Sequence, residues 1–307
     1  MFNNYELKPF DKRSKDANEL FKDIDAVWKN SGGEGVVAED MKQKLFHDKQ
    51  FEKHPLLLTE NDKAVGITWP EITTPYYGNI TIHVPDDKHV EALIFHLKKK
   101  QYFKNKIMEL VHIKQTSLYK ECCFKHELIS NIRQRMYLWL TNIPYFQEEK
   151  HPFEFRSLSE ADIEWTSKIS VDAHKISKDY QFYEEMINVD KRANLEKNVW
   201  GGMFGDVVQS GSIAVYYNQA PVGYCLVVNV KCWGHEKVPW IFDICIDPSF
   251  HGQGIGRALS SHFINNLMEE KYEIMGLAVT LTNKYALRMY EKFGFEFLDV
   301  FYEFMEL

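Results

Sequence analysis

The stretch from Ile244 to Leu259, ICIDPSFHGQGIGRAL, is the most informative part of the chain. It begins inside an apolar run, 241–246, which is typical of a strand covered on both faces. Three alternating glycines follow, and from Ile255 apolar residues recur at steps of about four. This order predicts a buried strand, a glycine-rich loop and an amphipathic helix that packs against the sheet.

The glycine-rich loop favours an anion site. Glycines at 252, 254 and 256 let backbone N–H groups approach a ligand closely. The N-terminus of the next helix adds unpaired donors and partial positive charge, which suits phosphate or pyrophosphate. The GxGxG spacing disfavours a dinucleotide fold, and the lack of a following Gly-Lys-Ser/Thr disfavours a P-loop. A tight strand-to-helix turn without a ligand remains the alternative.

A second block lies at 283–295, NKYALRMYEKFGF. Asn283 can cap the start of a short helix, and Gly294 can end it in the left-handed conformation. Asn283, Ala286 and Tyr290 then share one face of that helix.

Together these two blocks, with 244–248 before them, resemble the GCN5-related N-acetyltransferases (GNAT). The resemblance is clearest over 210–307, extends to 153–209, and over 1–150 rests on the order of elements. It implies that the loop binds the pyrophosphate of acetyl-CoA, that the second helix lies along the pantetheine arm, and that the acyl group passes directly to an amine. The family usually has Arg or Gln where this chain has His251, which lacks arginine's fixed charge.

The resemblance also assigns roles at the reacting group. Backbone N–H groups near Cys245 and Ile246 are expected to stabilise negative charge on the thioester oxygen. Tyr290 matches the position that protonates the leaving thiolate, with helix packing as the alternative. Asp243 lies in an apolar strand, where a carboxylate is costly unless it is paired or works as a base. His174 and Glu185 are further candidates on the substrate side.

The expected catalytic residues are thus Tyr290 and Asp243, and no metal ligand set is expected because the sequence contains no HExxH. The expected cofactor-binding residues are Ile244, Cys245, Ile246, His251, Gly252, Gln253, Gly254, Ile255, Gly256, Arg257, Ala258, Asn283 and Ala286.

Self-comparison indicates an internal repeat. Short strands, hairpins at 56–66 and 213–223, strands stopped by proline near 85 and 248, and the echo of 118–124 in 289–295 recur in the same order. We therefore expect an α/β fold with two GNAT-like units, each a central mixed sheet flanked by helices. The polar run 141–152 predicts a division into a degenerate domain, 1–145, and a catalytic domain, 151–307.

The first copy lacks the loop. Its matching turn, 84–90, reads VPDDKHV and contains no glycine. Asp86 and Asp87 cap a helix well but repel a phosphate. This copy is expected to bind no CoA and to brace the active half, so that the chain works as a monomer with an internal pseudo-dimer.

Composition sets the class of protein and its surroundings. The chain has 307 residues, of which 45% are hydrophobic and 26% charged, and a formal net charge of −7. This is the profile of a globular protein and a poor one for binding nucleic acid. Five cysteines without a CxxC pair, no visible signal peptide and no apolar run of membrane-spanning length predict a cytoplasmic protein without a membrane partner.

We consider three functions. The first is transfer of acetyl from acetyl-CoA to a primary amine of a small molecule, and the second is a non-catalytic CoA-binding sensor or scaffold on the same fold. The third is a transferase with another donor such as aminoacyl-tRNA, which the acidic balance and the intact glycine loop disfavour. No motif in 160–205 identifies the acceptor.

Overall fold

The computed structural model divides into two compact units. One contains residues 1–131 with 301–307, and the other residues 132–300. The division predicted at 141–152 assigned 132–145 to the first domain and 301–307 to the second, so the observed units differ at these two segments. The structure describes residues 2–11, 13–30, 55–72, 77–112, 114, 117–147, 150–176 and 182–306.

Strand pairing explains that difference. Residues 133–139 of strand β6 (Ile129–Trp139) pair with β11 (Ile274–Thr280) inside the second unit. Residues 303 and 304 of strand β12 (Glu296–Met305) pair with β5 (Ile107–His112) inside the first. Each unit therefore receives one strand segment from the other half of the chain.

The first unit is a mixed sheet with helices. Its strands run in the order β1-β2-β3-β4-β5 followed by the end of β12, all antiparallel except the pair β4 and β5. In the helix 90–99 of this unit, apolar residues recur at helical spacing, and all of them are buried: Val90, Leu93, Ile94 and Leu97. The elements are β1 (Tyr5–Pro9), α1 (Lys15–Asn30), β2 (Leu56–Glu60), β3 (Lys63–Ile72), β4 (Tyr77–His83), α2 (Val90–Lys99), β5 and α3 (Leu118–Lys125).

The second unit repeats this order. Its strands run β6-β11-β10-β9-β8-β7, with only β10 and β11 parallel among the described strands. Besides β6 and β11 the elements are β7 (Glu154–Ser157), α4 (Ile163–His174), α5 (Val189–Trp200), β8 (Ile213–Tyr217), β9 (Ala220–Cys232), β10 (His235–Ile246), α6 (Ile255–Glu269), α7 (Lys284–Lys292) and the start of β12. The predicted α/β class with mixed sheets flanked by helices is confirmed.

Helices cover both faces of the second sheet. One core contains the predicted stripe of α6 together with Leu287 and Tyr290 of α7, and Ile244 and Ile246 pack against it. The other core contains Ile169 of α4, Val199 of α5 and Cys245. Alternate residues of β10 therefore face α6 and α7 on one side and α4 and α5 on the other.

Turns follow the predicted chemistry. The hairpin tips at Asn61-Asp62 and Asn218-Gln219 have positive φ angles, as tight hairpin turns require. Among the described helices, none is long and apolar enough to cross a membrane.

Candidate active site

Strand β10 separates from its parallel neighbour. It pairs with β11 at Trp240 and Ile241, while its pairing with β9 continues to Ile246. A register shift between Ile241 and Asp243 marks a β-bulge, which bends a strand. Residues 243–246 of the described second unit therefore have an open edge on the β11 side, which forms a slot between the two strands.

The backbone donors at this edge follow from strand alternation. The N–H of Asp247 donates to the carbonyl of Val222 at 2.9 Å, so it points towards β9. In an antiparallel pair the direction alternates, which turns the N–H of Cys245 towards β9 and those of Ile244 and Ile246 towards the slot. By this alternation the amides facing the slot are those of Ile244 and Ile246, whereas the Cys245 amide, also expected at the thioester, points towards β9.

The slot also changes the burial of the strand. Ile241, Asp243 and Cys245 are buried, whereas Ile244 and Ile246 are only half-buried. Helices cover both faces of the strand as predicted, and the two half-buried residues lie where β11 no longer pairs with β10.

The glycine-rich loop has the conformation that its glycines permit. Gly252 and Gly254 have φ angles of +79° and +81°, which side chains with a Cβ rarely adopt. Gly254 caps α6, and its carbonyl accepts the first helical bond from Ala258 N–H at 3.0 Å. The amides of Ile255 and Gly256 thus have no acceptor within the helix, as expected for an anion site.

His251 is tied to the preceding strand. Its Nε2 lies 2.9 Å from the carbonyl oxygen of Ile246, which can only accept, so the imidazole donates this hydrogen bond. The side chain therefore fastens the loop to the end of β10. This contact differs from the fixed positive charge that arginine would supply here.

A cavity of about 390 Å³ adjoins the loop and the start of α6. The expected residues Gln253, Gly254, Arg257 and Ala258 line it, together with Ser261 and Tyr217. Its other wall consists of Gln147 and residues 150–153, including Lys150 and His151. Lys150 and Arg257 bring two basic side chains to a cavity beside a helix N-terminus.

The polar run 141–152 is predicted as the division between the domains, and nothing in its sequence indicates that part of it borders a cavity. Asn265 of α6 fixes it by accepting from Phe146 N–H and donating to Phe146 O, both at 2.9 Å. The Phe146 ring also packs against Phe293, with 4.9 Å between ring centroids. A polar segment held by one distant amide has no periodicity from which its position can be predicted.

Helix α7 has the predicted cap and face. The side chain of Asn283 accepts from Ala286 N–H at 3.2 Å, and Gly294 follows the helix with a φ of +86°. Tyr290 is buried in the same core against which Ile244 and Ile246 pack. Burial, and then the nearby Cys225 and Asp243, raise the pKa of Tyr290, so its hydroxyl keeps its proton at neutral pH.

The carboxylate of Asp243 is enclosed by donors. Its Oδ2 accepts from Arg192 Nη2 and Tyr224 Oη, each at 2.6 Å, and from Ser170 Oγ at 3.1 Å. Burial opposes ionisation, but the Arg192 guanidinium and these donors hold the pKa of Asp243 below its ordinary value. Such a carboxylate is a weak base, and these contacts favour the structural role for Asp243 over the base role expected from the sequence.

Arg192 extends the cluster. Its Nε donates to Glu196 at 2.9 Å, and Thr166 donates to the other oxygen of Glu196. Burial raises the pKa of Glu196, although Arg192 opposes this shift. Glu185 is buried as well, in the short turn 184–186.

Three potential metal ligands meet beside this cluster. His174, Asp243 and Cys245 each present one ligand atom, all within 4.8 Å of one another. The Arg192 guanidinium already compensates the carboxylate, and Cys245 Sγ donates to Asp243 Oδ1 at 3.4 Å. A bound cation would have to displace these contacts, so the arrangement suits a proton-transfer site better than a metal centre.

Among the described residues of the first unit, neither feature of the site is found. Its parallel strands β4 and β5 stay paired from Tyr77 to Ile82, so no slot opens between the described parts of these strands. Asp86 caps the following turn by accepting from Lys88 N–H at 3.2 Å. Nζ of Lys114 lies 2.9 Å from Oδ1 of Asp87, so the charged groups at this turn are paired with each other.

Comparison with known proteins agrees with this geometry. Residues 174–295 match the model of the acetyltransferase (GNAT) family. The [ribosomal protein bS18]-alanine N-acetyltransferase of Escherichia coli K12 is 38% identical over 55 residues, which is 18% of this chain and 37% of that protein. The chain thus spans less than half the length of this curated relative.

Solved structures resemble nearly the whole chain. A GCN5-related N-acetyltransferase from Sphaerobacter thermophilus has a TM-score of 0.61 at 11% identity, over 98% of this chain and 95% of that one. A tandem GNAT protein from the clavulanic acid biosynthesis pathway has a TM-score of 0.54 at 10% identity, over 98% and 97%. At such identities the likeness shows the fold alone.

Proposed function

Residues 174–295 belong to the GNAT family of acetyltransferases, and on that premise we propose that this chain transfers acetyl from acetyl-CoA to a primary amine. The observation that carries the proposal is the slot between β10 and β11, next to a left-handed glycine loop at a helix N-terminus. The thioester supplies an activated acyl group, and the chain supplies position and charge.

The residues of the second unit fit the donor molecule. The amides at the start of α6 and the basic side chains Lys150 and Arg257 suit the phosphates. The slot admits the pantetheine arm beside α7, because β10 and β11 are not paired beyond Ile241.

Two groups act on the reacting bond. The N–H groups of Ile244 and Ile246 point into the slot and stabilise negative charge on the carbonyl oxygen during attack. The hydroxyl of Tyr290, buried on the α7 side, donates a proton to the leaving thiolate.

The donor and the acceptor bind on opposite faces of the sheet. The phosphate loop and Tyr290 belong to the α6 and α7 side, so the acceptor approaches from the α4 and α5 side. In the first unit the corresponding strands are closed, which supports a bracing role for that unit and one donor site per chain. We extend the proposal to a chain that works as a monomer in the reducing cytoplasm, on a small amine and without nucleic acid or membrane.

The test is a screen for thiol release from acetyl-CoA across a library of small primary amines, with N-acetylated product identified by mass spectrometry. We expect product with at least one amine, and a melting temperature raised by acetyl-CoA because binding stabilises the folded state. Binding without turnover across the library would favour the CoA sensor. If acetyl-CoA neither binds nor is turned over, the proposal is refuted.

A further inference from the structure

We propose that His174 is the general base of the second unit, taking the proton of the acceptor's ammonium group on Nε2. This inference rests on the proposed acetyl transfer and names the residue that makes the amine nucleophilic. It assigns this step to His174 instead of Asp243, whose Oδ2 accepts hydrogen bonds from Arg192, Tyr224 and Ser170.

The hydrogen bonds of His174 fix which nitrogen is basic. Its Nδ1 lies 2.8 Å from the backbone carbonyl oxygen of Ser170, one turn back in α4. A carbonyl can only accept, so Nδ1 carries a hydrogen and the lone pair of the neutral ring is on Nε2. The tautomer is therefore set by the backbone of the helix itself.

The position of His174 is on the acceptor side of the slot. It is the last residue of α4, the helix that covers the face of β10 opposite to α6 and α7. Its Nδ1 lies 3.8 Å from Cys245 Sγ, whose strand neighbours Ile244 and Ile246 offer their amides to the slot. His174 is 17% exposed, against 9% for Asp243, so the imidazole is the more accessible of the two.

Asp243 lies beside His174 and can help to hold the acceptor without acting as the base. Its Oδ2 accepts hydrogen bonds from Arg192 and Tyr224, while its Oδ1 lies 4.0 Å from Nε2 of His174. An ammonium nitrogen placed between Oδ1 and Nε2 can donate to both. The carboxylate then stabilises the imidazolium that forms, as a fixed negative charge does in a Ser-His-Asp triad.

The charges around His174 come from three packed elements. The titratable and charged groups that face it directly are Asp243 and Cys245 of β10. Behind them lie Arg192 and Glu196 of α5 and Tyr224 of β9, which reach His174 through Asp243. The single cation among them, Arg192, is paired with both Glu196 and Asp243, so the group nearest to Nε2 of His174 is the Oδ1 atom of Asp243.

The acid Tyr290 and the base His174 lie on opposite faces of the sheet, and each proton of the reaction has a defined path. His174 Nε2 accepts the first proton of the ammonium and releases it to solvent. The nitrogen then forms a bond to the thioester carbon while the carbon–sulfur bond breaks, and the sulfur takes a proton from Tyr290, which is reprotonated with the second nitrogen proton. One proton reaches solvent for each protonated amine acetylated.

The experiment compares two acceptors in three proteins. The proteins are the full-length wild type, His174→Gln and the control His235→Gln, a partly exposed histidine paired with Glu273. The acceptors are the best alkylamine of the screen and hydroxylamine, which is unprotonated at neutral pH and needs no base to become nucleophilic. Thiol release gives kcat/KM, and acetyl-CoA affinity is measured by calorimetry.

We expect His174→Gln to lower kcat/KM for the alkylamine by about 10²–10³-fold and for hydroxylamine by less than about tenfold. Acetyl-CoA affinity and melting temperature should stay unchanged, the pH profile for the alkylamine should lose one ionisation, and imidazole should partly rescue His174→Ala. Equal losses for both acceptors, or a near-normal rate with the alkylamine, would overturn the assignment. No thiol release by wild type with any acceptor would instead overturn the proposed function, and this inference with it.

Discussion

The Oδ2 atom of Asp243 lies 2.6 Å from Nη2 of Arg192, and both side chains are buried. Asp243, which is predicted from the sequence as a base, thus forms an ion pair that joins β10 to α5. Its second oxygen faces Cys245 and His174, so the pair also sets the charge beneath the acceptor side of the slot.

We expect Arg192→Met to destabilise the protein strongly, because it leaves Asp243 and Glu196 buried without their shared counter-ion. Breaking a buried pair from one side costs about 3–5 kcal/mol, whereas replacing all partners is often near neutral. The triple variant Arg192→Met/Asp243→Asn/Glu196→Gln should therefore recover much of the loss in urea denaturation at pH 7. Equal destabilisation in the single and triple variants would contradict the role of the ion pair.

The effect of Arg192→Met should also depend on pH. In the wild type the folded pKa of Asp243 is lowered, so its stabilising contribution is present above the unfolded pKa and disappears as the pH falls through the folded value. Arg192→Met removes the largest contribution that lowers this pKa, so the pKa of Asp243 rises relative to the wild type, and the penalty is largest at neutral pH and shrinks as the carboxyl becomes protonated. A penalty that is independent of pH between about 7 and 4 would argue for a packing defect instead.

The parts of the site that were predictable are those that local chemistry determines. Asn283 caps its helix and Gly254 precedes another because capping and left-handed turns depend on a few neighbouring residues. The ion pair was not predictable, since Asp243 and Arg192 are 51 positions apart and neither belongs to a motif.

The exchange of strand segments between the halves escaped prediction for a similar reason. An alternating pattern in 129–139 predicts a strand but not its partner, because many edges satisfy the same pattern. The segment at Phe146 shows the same limit, because its place depends on Asn265, over a hundred residues away.

We expect Gly254→Val to abolish the rise in melting temperature with acetyl-CoA. A β-branched residue at a φ of +81° is strained and would move the amides of the loop. The control is Gly202→Val, since Gly202 has a φ of +82° and, like Gly254, open space where a Cβ would lie. Both variants should lose similar stability without ligand, and an acetyl-CoA shift retained in Gly254→Val would refute the phosphate role of the loop.

Calorimetry should find one acetyl-CoA site per chain. Replacing Asp86 and Asp87 with glycine removes the negative charge from the first unit but leaves β4 and β5 paired from Tyr77 to Ile82. We therefore expect the double variant to keep a stoichiometry of one. Two equivalent sites in the wild type would contradict the bracing role proposed for the first unit.

Cys245→Ala should keep kcat within a few-fold of the wild type, with no acetylated enzyme detected by mass spectrometry. The thiol donates to Asp243 at 3.4 Å, and burial together with that carboxylate raises its pKa well above the ordinary value. His174 cannot deprotonate it through Nδ1, which already donates to the carbonyl of Ser170. A trapped acetyl-cysteine in the wild type, absent from the variant, would indicate a covalent route instead of direct transfer.

Tyr290→Phe tests the acid. The change keeps the ring, its burial and its contact with Phe295, 5.5 Å away between centroids, and removes only the hydroxyl. A thiolate leaving group has an ordinary pKa of about 8.5, so a phenol that holds its proton at neutral pH can supply one as the carbon–sulfur bond breaks. We expect kcat to fall about 10²–10⁴-fold while acetyl-CoA affinity changes little, since the phosphate contacts lie at α6. The matched control is Tyr285→Phe on the same helix, where the side chain is 88% exposed and turnover should stay normal. Near-normal kcat in Tyr290→Phe would reduce Tyr290 to a packing residue and leave protonation of the thiolate to water.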